Sequence, residues 1–201
     1  PRAAAQNEAL FDLASWHTLA NGDEVVTAAV NPVDGRLWVG TEGGGLVVWD
    51  TQGRTFDQYL FPNQRGLLTN TIYDIDFNPA TGDAWLATDM GVTRVEHATM
   101  GFRTFVADTA EARPEHSTDV IDVVSVDQFP DSRIFNVVAV ADDGAVWIGT
   151  PDRGVAVLNV DNQWTRYLYD ETDLELGPQR EQVTDIAPLP DGKVWVAHGR
   201  T

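Results

Sequence analysis

The phrase Gly-x-x-Trp-aliphatic-small-Thr recurs along this chain. It reads Gly35-Arg-Leu-Trp38-Val-Gly-Thr41, Gly82-Asp-Ala-Trp85-Leu-Ala-Thr88, Gly144-Ala-Val-Trp147-Ile-Gly-Thr150 and, with a final His, Gly192-Lys-Val-Trp195-Val-Ala-His198. The Trp-to-Trp steps are 47, 62 and 48 residues, so a unit of about 47 repeats, with one insertion of about 15. A period in that range, built from short β-rich pieces, is the mark of propeller blades: small sheets that bury their faces only against one another. The expected fold is all-β, a β-propeller with four recognisable blades of four antiparallel strands. Because closure takes about four to eight blades, the blades are expected to belong to a larger propeller of about seven.

Each unit divides into four strands. In the first, Val25-Val-Thr-Ala-Ala-Val30 is an apolar run closed by the turn formers Asn31-Pro-Val-Asp-Gly35. Leu37-Trp-Val39 follows, Glu42-Gly-Gly-Gly45 turns the chain, Leu46-Val-Val-Trp49 makes a third strand and Phe56-Asp-Gln-Tyr59 a fourth. Strands are expected at about 25–30, 36–41, 45–50 and 55–60. The outermost-strand signature recurs at Trp16-His-Thr-Leu19, Phe102-Arg-Thr-Phe105 and Trp164-Thr-Arg-Tyr167. Two motifs in constant order define blade repeats near 24–61, 71–108, 134–170 and 182–201, a tail or linker over 1–15 and an insertion over 109–133.

Side chains alternate across a strand, so Trp38 and Gly40 face one way while Leu37, Val39 and Thr41 face the other. Both sides are largely apolar, as in a sheet covered on both faces. The small residue two places after each Trp (Gly40, Ala87, Gly149, Ala197) fits an indole packed where the next blade comes close. All four indoles are expected to be buried as packing residues.

These residues resemble the two-component regulator propeller repeat, whose pattern runs through an apolar-Asp-Ile strand, a Pro-Asp-Gly turn, Leu-Trp-Ile-Gly-Thr and a Gly-Gly-Leu stretch. Val183-Thr-Asp-Ile186 with Pro190-Asp-Gly192 and Val194-Trp-Val196 is similar, as are Arg36 to Asp50 and Asp143 to Thr150. The second unit departs, with Asp89-Met-Gly91 in place of a Gly-Gly pair. The resemblance spans roughly residues 16 to 198 and implies a bacterial, extracytoplasmic propeller of the sensor type.

The chain is 43% hydrophobic and 22% charged, as in an ordinary globular protein. No run approaches 18 apolar residues, so no stretch of this sequence inserts directly in a membrane as a helix. Without cysteine, disulfides and thiolate metal sites are excluded. A net charge of −18 argues against nucleic acid or an anionic lipid surface as partner, since both need a basic face. Polyanionic ligands are disfavoured unless the few Arg cluster. Pro1-Arg-Ala-Ala-Ala-Gln6 carries the A-x-A arrangement that ends a secretory signal, or else is a short linker. The chain stops where the earlier units continue into a third strand, so the expectation is a part of a longer protein; a closed four-blade ring completed by Trp16-His-Thr-Leu19 is the alternative.

The insertion has a polar part, Thr109 to Ser117, and an alternating part, Asp119 to Val126. Long loops in compact domains are often functional, which makes Val120, Ile121, Val123 and Val124 the candidate partner contacts. The innermost strands carry one polar residue ten or eleven before each Trp: Thr27, Asp74, Asn136 and Asp185. These are the candidate channel-lining residues, either a plain hydrated lining or a ring able to hold a cation or polar ligand. Asp76, Asp142, Asp143 and Asp191 read as strand-end or turn formers. The four His lack metal-site spacing, and no nucleophile elbow, phosphate loop or Cys nucleophile occurs. No catalytic residues, metal or cofactor are therefore assigned. The expected function is noncatalytic binding of a protein partner or small polar ligand outside the cytoplasm. The alternatives are a structural subunit of an extracytoplasmic complex and, third, a propeller lyase or hydrolase.

Overall fold

The computed structural model describes residues 24–50, 52, 55–63, 66–107, 123–168 and 182–199. The tail 1–15, the Trp16 signature and the candidates Val120 and Ile121 lie outside them. The described residues are all strand and turn, with no helix. Blade 1 is β1 (Glu24–Val30), β2 (Leu37–Glu42), β3 (Leu46–Asp50) and β4 (Thr55–Tyr59). Blade 2 is β5 (Ile72–Phe77), β6 (Ala84–Thr88), β7 (Gly91–Glu96) and β8 (Gly101–Ala107), extended by β9 (Val123–Val126). Blade 3 is β10 (Val137–Val140), β11 (Val146–Gly149), β12 (Val155–Leu158) and β13 (Trp164–Tyr167). Blade 4 contributes β14 (Val183–Pro188) and β15 (Val194–His198). Each sheet is an antiparallel meander in chain order, except that β9 joins β8 in parallel, Thr104 facing Val123 and Ala107 facing Val126. The second sheet thus has five strands where the repeat predicts four.

The turns follow from composition. Asn31 and Asn78 each start an Asn-Pro turn in which the side-chain oxygen accepts the N–H of Val33 or Ala80 (2.9 Å each). Gly35 and Gly82 close these turns at φ 71° and 76°, which a Cβ would strain. Asn31 is fully buried and its amide donates to the Gly82 carbonyl (2.9 Å), tying one blade's turn to the next.

The innermost strands β1, β5, β10 and β14 lie side by side in that order, and each blade lays its Trp face on its successor. Trp38 meets Phe77 edge-on at 5.4 Å within a core that also holds Leu46, Ile72 and Leu86. Trp85 packs between Phe105 and Trp164. Trp147 stacks on Tyr167 and leans on Val194 and Val196 of blade 4. The small residue after each indole admits the next innermost strand: a Cβ on Gly40 would stand 2.7 Å from Ile72 Cγ2, and one on Gly149 2.7 Å from Val183 Cγ1.

Burial of the indoles is correspondingly graded, and the expectation of four buried indoles holds for two. Trp38 and Trp85 are 0% and 4% exposed, Trp147 is half-buried and Trp195 is 69% exposed. Rings of its own blade cover an indole in part and the blade after its own completes the cover, and among the described residues no blade packs beyond blade 4. At the other end, Val30, Leu37, Trp49 and Phe56 stand in one row across blade 1. Val30 and Phe56 are 59% and 54% exposed. The described blades therefore form an arc with two uncovered faces.

Candidate functional site

The innermost strands leave one edge unpaired within their own sheets, and blade 2 covers that of blade 3. Asp74 Oδ2 accepts the Val138 N–H (3.0 Å) and Asp76 Oδ2 accepts the Val140 N–H (2.7 Å), while each Oδ1 takes the N–H of its own successor, Ile75 or Phe77. Two carboxylates thus satisfy four donors, two on β10 and two on β5, along edges that would otherwise be open to pairing. Burial pushes both carboxyls above the ordinary aspartate range, against the pull of these N–H groups. Asp74 is raised further by the charges of Asp76 and Asp185. The Asp76 side chain, expected to be a strand-end turn former, is a bridge between blades.

The four candidate lining residues do not form one ring. Thr27, Asp74 and Asp185 are equivalent, opposite Gly40, Ala87 and Ala197. In blade 3 the equivalent residue is Val137, opposite Gly149, and Asn136 sits one place earlier. The reason is a shorter turn. Val30 and Phe77 pair with Leu37 and Ala84, seven residues on, whereas Val140 pairs with Val146, six on, and a one-residue slip exchanges the faces of a strand. Asn136 instead donates its amide to the Val183 carbonyl (2.9 Å), one blade on. Thr27 is half-buried, and Asp185 is exposed with Oδ1 on the Ile186 N–H.

A second set gathers at the end of the arc where the innermost strands start and β2, β6, β11 and β15 finish. There the blades are laced in series: Glu42 bridges to Thr71, the Phe135 N–H donates to the Thr88 carbonyl (2.9 Å), and the Val183 N–H donates to the Thr150 carbonyl (2.9 Å). Along this rim Asp89 Oδ1, Asn136 Oδ1 and His198 Nδ1 are buried with no hydrogen-bond partner among the described residues. Tyr73 occupies a bulge at the start of β5, its phenol pushed up by burial and then by the charges of Asp89 and Glu42. Glu24 faces Glu42 directly. Tyr73 and Asp89 were not among the candidates. Their signal lay in position: Asp89 follows the motif Thr, as Glu42 does, and His198 replaces it.

Among the described residues no three His, Asp or Glu side chains converge as metal ligands. Arg94 faces Arg103 across β7 and β8, but Asp83 holds Arg94 (2.6 Å) and Glu96 lines the same shallow groove. This is not a basic patch.

The insertion's second half belongs to the core. Val126 and Phe129 are 6% and 2% exposed, and Phe129 meets Trp164 edge-on at 4.5 Å and Phe135 at 5.2 Å, sealing the seam between blades 2 and 3. Val124 packs half-buried against the same cluster, and Val123 pairs through its backbone with Thr104.

No family model and no curated protein matches the chain. Among solved structures, the extracellular domain of the hybrid two component system BT3049 from B. thetaiotaomicron aligns at 20% identity with TM-score 0.63, covering 87% of this chain and 22% of that one. PorZ, a bacterial surface component of the type-IX secretion system of Porphyromonas gingivalis, aligns at 19% identity with TM-score 0.55, covering 87% and 24%. The chain spans about a quarter or less of the length of the structures it matches. The likeness is one of fold: successive antiparallel sheets packed face to face around their innermost strands.

Proposed function

We propose that the chain is part of a noncatalytic, extracytoplasmic propeller that binds a small polar ligand or a protein segment at the strand-start rim. The observation that carries this reading is the rim's row of buried polar atoms lacking partners among the described residues, since such atoms ordinarily have them. The lining candidates Thr27, Asp74 and Asp185 lie just inside that rim, with Asp74 already engaged by blade 3. The sensor-type resemblance and a fold shared with an extracellular domain and a surface component support the location. Thermal-shift titration with a panel of small polar ligands should find stabilisation that Asp89→Ala removes. Turnover assays on lactone, ester and polysaccharide panels should stay blank; hydrolysis or elimination lost on changing Asp74 or Asp185 would overturn the reading.

A second reading, a structural subunit whose faces hold further blades or partners, is favoured by blade 4. Two of the devices that fasten blade 2 to blade 3 are an indole and an inner-edge carboxylate, and in blade 4 both counterparts, Trp195 and Asp185, are exposed. They fit a propeller of more than four blades, about seven in our proposal. Hydrogen exchange on the full-length protein should show the Trp195 indole protected; an indole that exchanges freely there contradicts it.

A further inference from the structure

The seams inside the chain reveal what each face of a blade is shaped to meet. Trp38 shares one core with Phe77, Ala84, Val95 and Phe102, which stand opposite one another in a row across blade 2. Trp85 shares another with the equivalent row of blade 3, Val140, Val146, Leu158 and Trp164. In blade 1 the equivalent row is Val30, Leu37, Trp49 and Phe56, apolar throughout, with Trp49 stacked on Phe56 at 5.3 Å. Among the described residues it receives no indole, and Trp195 enters no row.

The inner edges match in the same sense. Ile72 and Val183, opposite Thr88 and His198, are fully buried where they meet Gly40 and Gly149 of the preceding blade. Their counterpart in blade 1, Val25 opposite Thr41, is exposed, and so is the end of blade 4 that would cover it. Asp185 Oδ1 accepts its own Ile186 N–H at 2.9 Å, as Asp74 Oδ1 accepts that of Ile75 at 2.9 Å. The other oxygen of Asp74 takes the Val138 N–H of the next blade. Val138 lies opposite Ile148, and the same place in β1 is Ala28, exposed and opposite Val39. Blade 4 thus presents an indole and a carboxylate where blade 2 fastens blade 3, and blade 1 presents the row, the aliphatic side chain and the edge position that receive them. The two halves sit at opposite ends of one arc, so a single copy does not join them.

We infer that the uncovered face of blade 1 docks a second copy of this chain head to tail, the row of Val30, Leu37, Trp49 and Phe56 receiving Trp195 of the other copy, Val25 lying against its Ala197 and the Ala28 N–H meeting its Asp185. This rests on the second reading above, that the end faces hold further blades, and it names the partner. The contact joins two different faces, so it closes into a ring of copies or runs on as a chain of them.

The test is sedimentation velocity of the 201-residue chain over a hundredfold range of concentration. The wild type should associate, and Trp195→Asp and Phe56→Asp, both at exposed positions, should each sediment as a monomer. Mixed in equal amounts they should form a one-to-one dimer, because each keeps the face that the other has lost, and that recovery shows both variants folded. The milder Trp195→Ala and Phe56→Ala should each weaken association at least ten-fold. Since each copy carries a net charge of −18 and the contact is mainly apolar, added salt should tighten it, a readout that needs no variant to fold. Asp variants that still associate alone, a mixture that stays monomeric, or association that salt weakens would overturn the head-to-tail contact. A wild type that is monomeric throughout would overturn the second copy as partner, whereas the reading that a further blade covers Trp195 stands or falls separately on the exchange experiment above.

Discussion

The Asp76 carboxylate accepts the N–H of Val140 at 2.7 Å across the seam between two blades. Asp74 does the same for Val138 one step along. The innermost strand of a blade has no strand beyond it in its own sheet, so its alternate N–H groups need partners from elsewhere. For β10 the preceding blade supplies them by side chain. That makes the Asp-x-Asp pair of β5 a fastening that acts in register with the Trp85 face.

Truncating either carboxylate should therefore destabilise the seam. Asp74→Ala or Asp76→Ala strands a partly buried N–H and should cost about 1–3 kcal/mol in urea unfolding, against no measurable change for the exposed turn variant Asp142→Ala. The pH dependence follows from the sign of the shifts. Burial raises both carboxyls above the ordinary 3.8, so ionisation is harder in the folded state than in the unfolded. The contribution of these groups is greatest below 3.8 and declines as pH rises through their raised folded values. Stability lost in the double Ala variant should be larger at pH 3.5 than at pH 7; a loss that grows with pH would reverse the assignment.

Asp83 behaves in the opposite sense within the same blade. Burial alone would raise it, but the His97 N–H (2.9 Å) and the Arg94 guanidinium (2.6 Å) more than offset that and hold it below the ordinary range. Its contribution is present above the unfolded value and lost as pH falls through the folded one. Asp83→Ala should cost about 1–3 kcal/mol at pH 7 and little at pH 2. An equal loss at both would show that the pairing is not the source.

The close approach of neighbouring blades at Gly149 is testable by overpacking. Gly149→Ala places a methyl 2.7 Å from Val183 Cγ1 and should cost about 1–3 kcal/mol. Val183→Ala in the same chain should recover part of that, giving a non-additive double-mutant cycle. Strict additivity would mean that the two residues do not meet.

The repeat was legible because its residues serve local geometry: Trp38, the turn at Asn31-Pro-Val-Asp-Gly35 and the Phe56-x-x-Tyr59 strand all fall where their period puts them. Three features were not. Counting back from Trp147 selects Asn136 over Val137, because a turn one residue shorter is silent in a spacing rule. The exposure of Trp195 is set by whether another blade packs on its own, and the motif carries no sign of its neighbours. The rim is assembled from Tyr73, Asp89, Asn136 and His198, contributed by three blades, and only lacing between blades brings such residues into one row.

The insertion carries the last prediction. Its polar first part suggests an accessory arm, and on that view deleting residues 110–130 leaves the blades folded. Phe129 argues otherwise. It is 2% exposed, wedged between Phe135 and Trp164, which in turn covers Trp85, so one side chain of the insertion closes the contact between two blades. Phe129→Ala should cost about 3–5 kcal/mol, whereas Trp195→Ala, at the uncovered end, should change the stability of this chain by under about 0.5 kcal/mol. Guanidinium unfolding followed by tryptophan fluorescence compares the two directly. A Phe129 variant as stable as the wild type would return the insertion to the surface and leave it free for a partner.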